Sequence, residues 1–291
     1  MGPDRTLTLR HVRGLHRSLG EHPPFSPLVL RAWVPLGITS LVLIAAASVL
    51  SSAPLLLAGF VLGAIAGPIA FLVDLQHRTG LAWHPPRSML LAGAFVGGPV
   101  AVLVSHALQL GFPAIGPNAQ TLLIGPIEET AKLLVPATLL IVHRTSQRGA
   151  LICAVAAAAS FQAIENVLTA WGTLAHADGG VAASAVVLAA RGIVGSFTHC
   201  MWTATVAIAW FGTCDRRGVL GDPRTRRLVG SLLAVALLHS LWDVATGVDG
   251  RAAALGLAAF AFAGTLLAHH LATRDAARRW KRMRRAGLGR S

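Results

Sequence analysis

Polar and apolar positions in this chain segregate into long blocks rather than alternating at strand or helix spacing. Apolar runs of about 20 residues, the length that crosses a bilayer as a helix, recur near residues 32–50, 54–73, 89–109, 119–142, 149–170, 185–213, 228–248 and 252–272. Short connections between them hold breakers such as WHPPR, GFPAIGPN and GDPRTRR. The pattern predicts an all-α polytopic membrane bundle of about eight transmembrane helices. The sixth run is long, and Arg191 with Gly192 predicts a short interfacial helix split from a span at about 193–213. A basic arm over 1–30 and a basic tail over 274–291 flank the membrane domain at 31–273.

Composition agrees: 54% of the residues are hydrophobic and 13% charged, where a soluble domain carries about 25% charged residues. The formal charge of +13 raises nucleic acid as a partner, but its distribution points elsewhere. The N-terminal arm together with Arg31, the 74–88, 143–148 and 214–227 loops and the tail hold 22 of the 25 cationic residues. With eight spans these segments share one side, and the opposite loops carry only Arg251. Cationic loops stay cytoplasmic and touch anionic lipid. Both termini are therefore expected in the cytoplasm, the lipid bilayer is the expected partner of the basic segments, and no nucleic acid is expected. Three scattered cysteines without a CxxC pair exclude a disulfide framework.

Charged groups inside a bilayer are costly and mark functional sites by default. The fourth run carries Glu128, Glu129 and Lys132, the fifth Glu165 beside Asn166, the sixth Arg191 and His199, and the seventh His239 and Asp243. Counting from the cytoplasmic arginines at 144, 148, 216 and 227 puts Glu128, Glu165, His199 and Asp243 at one depth, roughly 24–26 Å up. Lys132 and His239 sit about one turn lower, near 18 Å. Four antiparallel helices thus bring their ionisable groups into one slab of the outer half of the membrane. Glu128 shares a helix face with Lys132, and His239 with Asp243. Gly125-Pro126 reads as a helix start, which would set Glu128 in the first turn, where the helix dipole favours a carboxylate.

A carboxylate base, a histidine and a polarising group suit water attack on an amide. Two histidines and a glutamate equally suit a catalytic zinc site with an open position. GxSxG, HExxH and GxGD are absent. A proton- or ion-coupled transporter would use the same carboxylates, but its path needs polar groups towards both surfaces. The cytoplasmic halves LLVPATLLIV, ICAVAAAA and TVAIAWFG are apolar. A non-catalytic membrane scaffold would use these groups only for packing.

In order and spacing, EETAK, FQAIEN, the mid-span His199 and HSLWD resemble the PrsW family of intramembrane proteases, which is related to the CAAX-processing and bacteriocin-immunity proteases. The resemblance covers roughly 60–275. It implies that Glu128 and Glu129 are the paired catalytic glutamates, with Lys132 closing their motif. It also implies that Glu165 and Asn166 form a second motif, His199 a third, and His239 with Asp243 the last. Where the CAAX relatives have histidine this chain has Glu165, so their scheme does not transfer directly.

The expectation is an intramembrane endopeptidase in which Glu128 or Glu129 activates water. Glu165, His199 and His239 hold a metal, zinc by the ligand set, or without one assist the base and the oxyanion. Asp243 orients His239, or with Asn166 supports the site from behind. The resemblance further implies a bacterial plasma-membrane protein whose substrates are single-pass, membrane-anchored regulators such as anti-sigma factors, cut near the outer face. The charge pattern predicts that a phosphatase reporter fused after Ser291 stays inactive while one inserted beside Arg251 is active. The reverse pattern would refute the orientation.

Overall fold

The computed structural model describes residues 27–79, 87–111, 117–143, 147–176, 180–192, 196–211, 222–247, 255–256 and 258–267. The helices are α1 (Pro27–Leu50), α2 (Ala53–Thr79), α3 (Arg87–Leu110, with a π turn at Gly93–Gly97), α4 (Pro117–Ile141) and α5 (Gln147–Ala175). They continue with α6 (Val181–Ala190), α7 (Ser196–Phe211), α8 (Asp222–Gly247) and α9 (Ala258–Leu267). No strand occurs among the described residues. Five stretches are long and apolar enough to cross a membrane: Leu30–Leu50, Ala53–Val73, Arg87–Leu110, Gly149–Ala175 and Arg226–Ala245. Helix α4 is also long, though three charges interrupt its apolar run, and α6, α7 and α9 are shorter. The α-helical part of α6 ends at Ala190 and passes into a π turn at Arg191 and Gly192, α7 starts at Ser196, and the intervening 193–195, where the expected split falls, lie outside the described residues. The basic arm up to residue 26, the tail and, of the arginines in the three basic loops, Arg144, Arg216 and Arg217 also lie outside them.

Helix α5 packs against α2, α3, α4, α6 and α7. Its sequence explains why: Ala150, Cys153, Ala154 and Ala156–Ala158 are small and fully or almost fully buried, so neighbouring backbones approach closely. Helix α3 answers with glycines. A Cβ on Gly97 would stand 2.8 Å from the Ala157 methyl, and one on Gly98 2.5 Å from Ser160. Leu103, Val142, Leu168, Val186 and Leu237 are exposed, which in a membrane bundle makes them the lipid-facing surface.

One expectation is corrected. Helix α4 does not begin at Gly125-Pro126; it starts at Pro117 and runs through both Pro126 and Pro136. Glu128 is therefore inside the helix, away from the terminal dipole. Proline 126 lacks the N–H that would bond the Leu122 carbonyl. The Ser240 hydroxyl of α8 donates to that carbonyl at 2.7 Å, so a neighbouring helix supplies the missing donor, as membrane bundles commonly do. Gly125 makes the approach feasible, because a Cβ there would lie 2.5 Å from the Ala236 carbonyl oxygen and 3.0 Å from the His239 Cβ. Gly125→Val is expected to push α8 away and cost about 1–3 kcal/mol, the usual range for overpacking. Thermal unfolding in detergent measures it, and an unchanged midpoint would refute the close seam.

Candidate active site

The α4–α8 seam faces α7, and their ionisable side chains meet where the three helices adjoin. On α4, Glu129 is fully buried and Glu128 nearly so. Consecutive helix positions point about 100° apart, and the two glutamates accordingly have different surroundings. Glu129 Oε1 accepts from Lys132 Nζ at 2.7 Å and lies 3.1 Å from His239 Nδ1; its Oε2 accepts from the Thr203 hydroxyl at 2.9 Å. Glu128 Oε2 has no hydrogen-bond donor. It lies 3.6 Å from Lys132 Nζ, 3.7 Å from His239 Nε2 and 4.0 Å from His199 Nδ1.

Lys132 ends between these groups. Besides both glutamates it reaches His199 Nδ1 at 3.0 Å and stands 4.2 Å from the centre of the Phe161 ring. A buried ammonium is tolerable only with such compensation. The imidazoles of His199 and His239 meet edge to face, with centroids 4.5 Å apart. Trp202 lies along His239, 4.2 Å away and 21° from parallel.

The open side is formed by α5, α8 and the end of α6. Glu165, Asp243 and Arg191 retain 23%, 22% and 28% side-chain exposure, against 6% for Glu128. Arg191 donates to Glu165 Oε1 at 2.7 Å and to Asn166 Oδ1 at 3.2 Å, and Gln162 donates to the same Asn166 oxygen at 2.6 Å. Glu165 Oε2 accepts no hydrogen bond and lies 3.9 Å from His199 Nε2. Asp243 Oδ2 lies 3.5 Å from His239 Nε2.

All eight expected residues thus fall in or beside one cluster, consistent with a shared depth. The cluster's composition differs from the expected grouping in one respect. The His/Glu set whose ligand atoms all lie within 4.8 Å of one another is Glu128, His199 and His239; Glu165 is turned to Arg191. That set fits a cation. An oxygen without a donor, Glu128 Oε2, faces the two imidazoles. Glu129 takes His239 Nδ1, which leaves Nε2 as the ligating nitrogen, the arrangement that carboxylates impose on metal-bound histidines.

A family profile described as PrsW family intramembrane metalloprotease matches residues 82–268, well over half of the chain. The chain belongs to that family. It is an intramembrane protease, a multi-pass membrane protein whose substrates are membrane proteins in a lipid environment. Neither the curated proteins nor the solved structures yield a match. The matched segment includes every residue of the cluster, from Glu128 to Asp243.

Several PrsW-protease residues escaped the sequence reading. Thr203 is four residues after His199 and shares its face, so helical spacing alone flags it. Gln162 precedes Asn166 by four in the same way. Phe161 and Trp202 carry no such signal, since apolar aromatics are ubiquitous here. The unequal partners of the two glutamates generate a prediction. Glu129→Ala strands the buried Lys132 and is expected to cost about 3–5 kcal/mol, as removal of one partner of a buried pair does. Glu128→Ala removes an oxygen that lacks a donor and is expected to leave stability unchanged or higher. Thermal unfolding in detergent checks both, and equal losses would refute the division.

Proposed function

We propose that this protease hydrolyses a peptide bond of single-pass, membrane-anchored regulators of the anti-sigma-factor kind, near the outer face of a bacterial plasma membrane. The observation that carries the reading is the convergence of Glu128, His199 and His239 on one point, with a second carboxylate oxygen, Glu165 Oε2, beside it on the open side. With eight spans and both termini in the cytoplasm, as the charge pattern predicts, this cluster would lie in the outer half of the bilayer.

Glu128, His199 and His239 would hold a divalent metal, zinc by the donor set. Such an ion lowers the pKa of a bound water and polarises a carbonyl. The chain's own groups divide the remaining work. Glu129 holds His239 by its Nδ1, and the Thr203 hydroxyl and Lys132 hold Glu129. Arg191, itself held by Asn166 Oδ1, fixes Glu165 through Oε1, leaving Oε2 towards the cluster. A water between Glu165 and the substrate gives its proton to Oε2 as its oxygen bonds to the carbonyl carbon. The same proton passes to the leaving amide nitrogen as the C–N bond breaks. Asp243, on the same side, brings Oδ2 to 3.5 Å from His239 Nε2 and adds negative charge beside the three ligands. Apolar walls such as Phe161 exclude bulk water.

Purified enzyme with a single-pass substrate tests the scheme through two conservative variants. Glu128→Gln is expected to lose bound metal and cleavage together. Glu165→Gln is expected to keep the metal while cleavage falls by about 10²–10⁴-fold, the usual worth of a general base. Metal content by elemental analysis separates the roles. Full metal in Glu128→Gln would make that residue the base instead, and cleavage untouched by strong chelators would remove the metal.

A further inference from the structure

Helix α9 contributes no ionisable group to the cluster, yet it reaches the catalytic rings through two side chains. Trp202 Nε1 donates to the Thr265 hydroxyl at 2.7 Å, and that hydroxyl donates in turn to the Ala261 carbonyl at 2.8 Å. Trp202 and Thr265 are both about 1% exposed. The far end of the indole is thereby pinned to the last described helix, while its face lies 4.2 Å from the His239 ring at 21°. The same indole meets His199 at 4.8 Å and 58°. One indole therefore contacts both imidazoles, stacked on His239 and tilted against His199.

An imidazole has two torsions to fix. Glu129 holds one nitrogen of His239, which constrains the ring's direction but leaves rotation about the line through that hydrogen bond. A flat aromatic wall removes this freedom, since tilting the ring would break the stack. The indole can serve as a wall only if it is itself immobile, and within a bundle a buried N–H with a fixed acceptor immobilises it. We propose that Thr265 and Trp202 are positioning residues of the protease, with Thr265 setting the angle of the His239 ring through the indole. This inference rests on the protease reading only for its kinetic consequence.

The full-length enzyme, histidine-labelled for NMR and assayed with a single-pass substrate, distinguishes the two. In the wild type the His239 ring protons, assigned through His239→Gln, should be shifted upfield by the indole's ring current. Thr265→Val keeps the shape but removes the acceptor; it should move those signals and lower kcat about tenfold, with KM within about twofold, as small misplacements of catalytic groups do. Thr265→Ser should restore both. Trp202→Phe keeps a stacking ring without the N–H, so adding Thr265→Val to it should change neither signal nor kcat further. His239 signals unmoved by Thr265→Val, or moved with kcat intact, would overturn the proposal, as would additive losses in the double variant. A wild type that cleaves nothing while the ring signals respond as stated would sink the protease reading and leave the Thr265–Trp202–His239 coupling standing.

Discussion

Lys132 and Glu129 form an ion pair of 2.7 Å in which neither side chain has any exposed surface. Alone, either charge in the middle of a membrane bundle would be too costly to keep. Together, and with Thr203 and His239 on the carboxylate and His199 on the ammonium, they become the pin on which three helices close. Three helices contribute: the pair comes from α4, Thr203 and His199 from α7, and His239 from α8. Breaking the pair would loosen all three contacts, because each relies on the same two charges.

The pin works only where the backbones come close, and a glycine-proline step arranges that. Gly125 provides space for α8, and Pro126 frees a carbonyl that Ser240 then occupies. Residue 239 is thereby brought beside residues 128 and 129. A pair of residues that usually ends helices here joins two of them. On α5 the same economy of size appears as an alanine-rich face, which lets Glu165 and Asn166 approach from the other side.

Much of the site is legible in the sequence because the bilayer makes charge expensive. Glu128, Glu129, Lys132, Glu165, His199, His239 and Asp243 stand out against apolar runs, and helical rise alone puts them near one depth. Depth is a one-dimensional statement, however. It does not say which oxygen of which glutamate meets which imidazole, and the expected metal set with Glu165 differs from the observed grouping with Glu128 for that reason. Phe161, Trp202 and Thr265 were invisible for a different reason: apolar and hydroxyl residues cost little in a membrane, so their presence carries no signal until a neighbour is seen.

The sequence by itself determined the class of protein, the sites of its helices and the family, since each follows from where polarity is tolerated and from local motif spacing. Tertiary structure decided the helix start of α4, the separation of Glu128 from Glu129 and the wall behind the histidines. These depend on which donors other helices supply: Ser240 for an orphaned carbonyl, Thr203 for a carboxylate, Thr265 for an indole. Local spacing cannot encode such partners, because they are residues of other helices brought close only by packing.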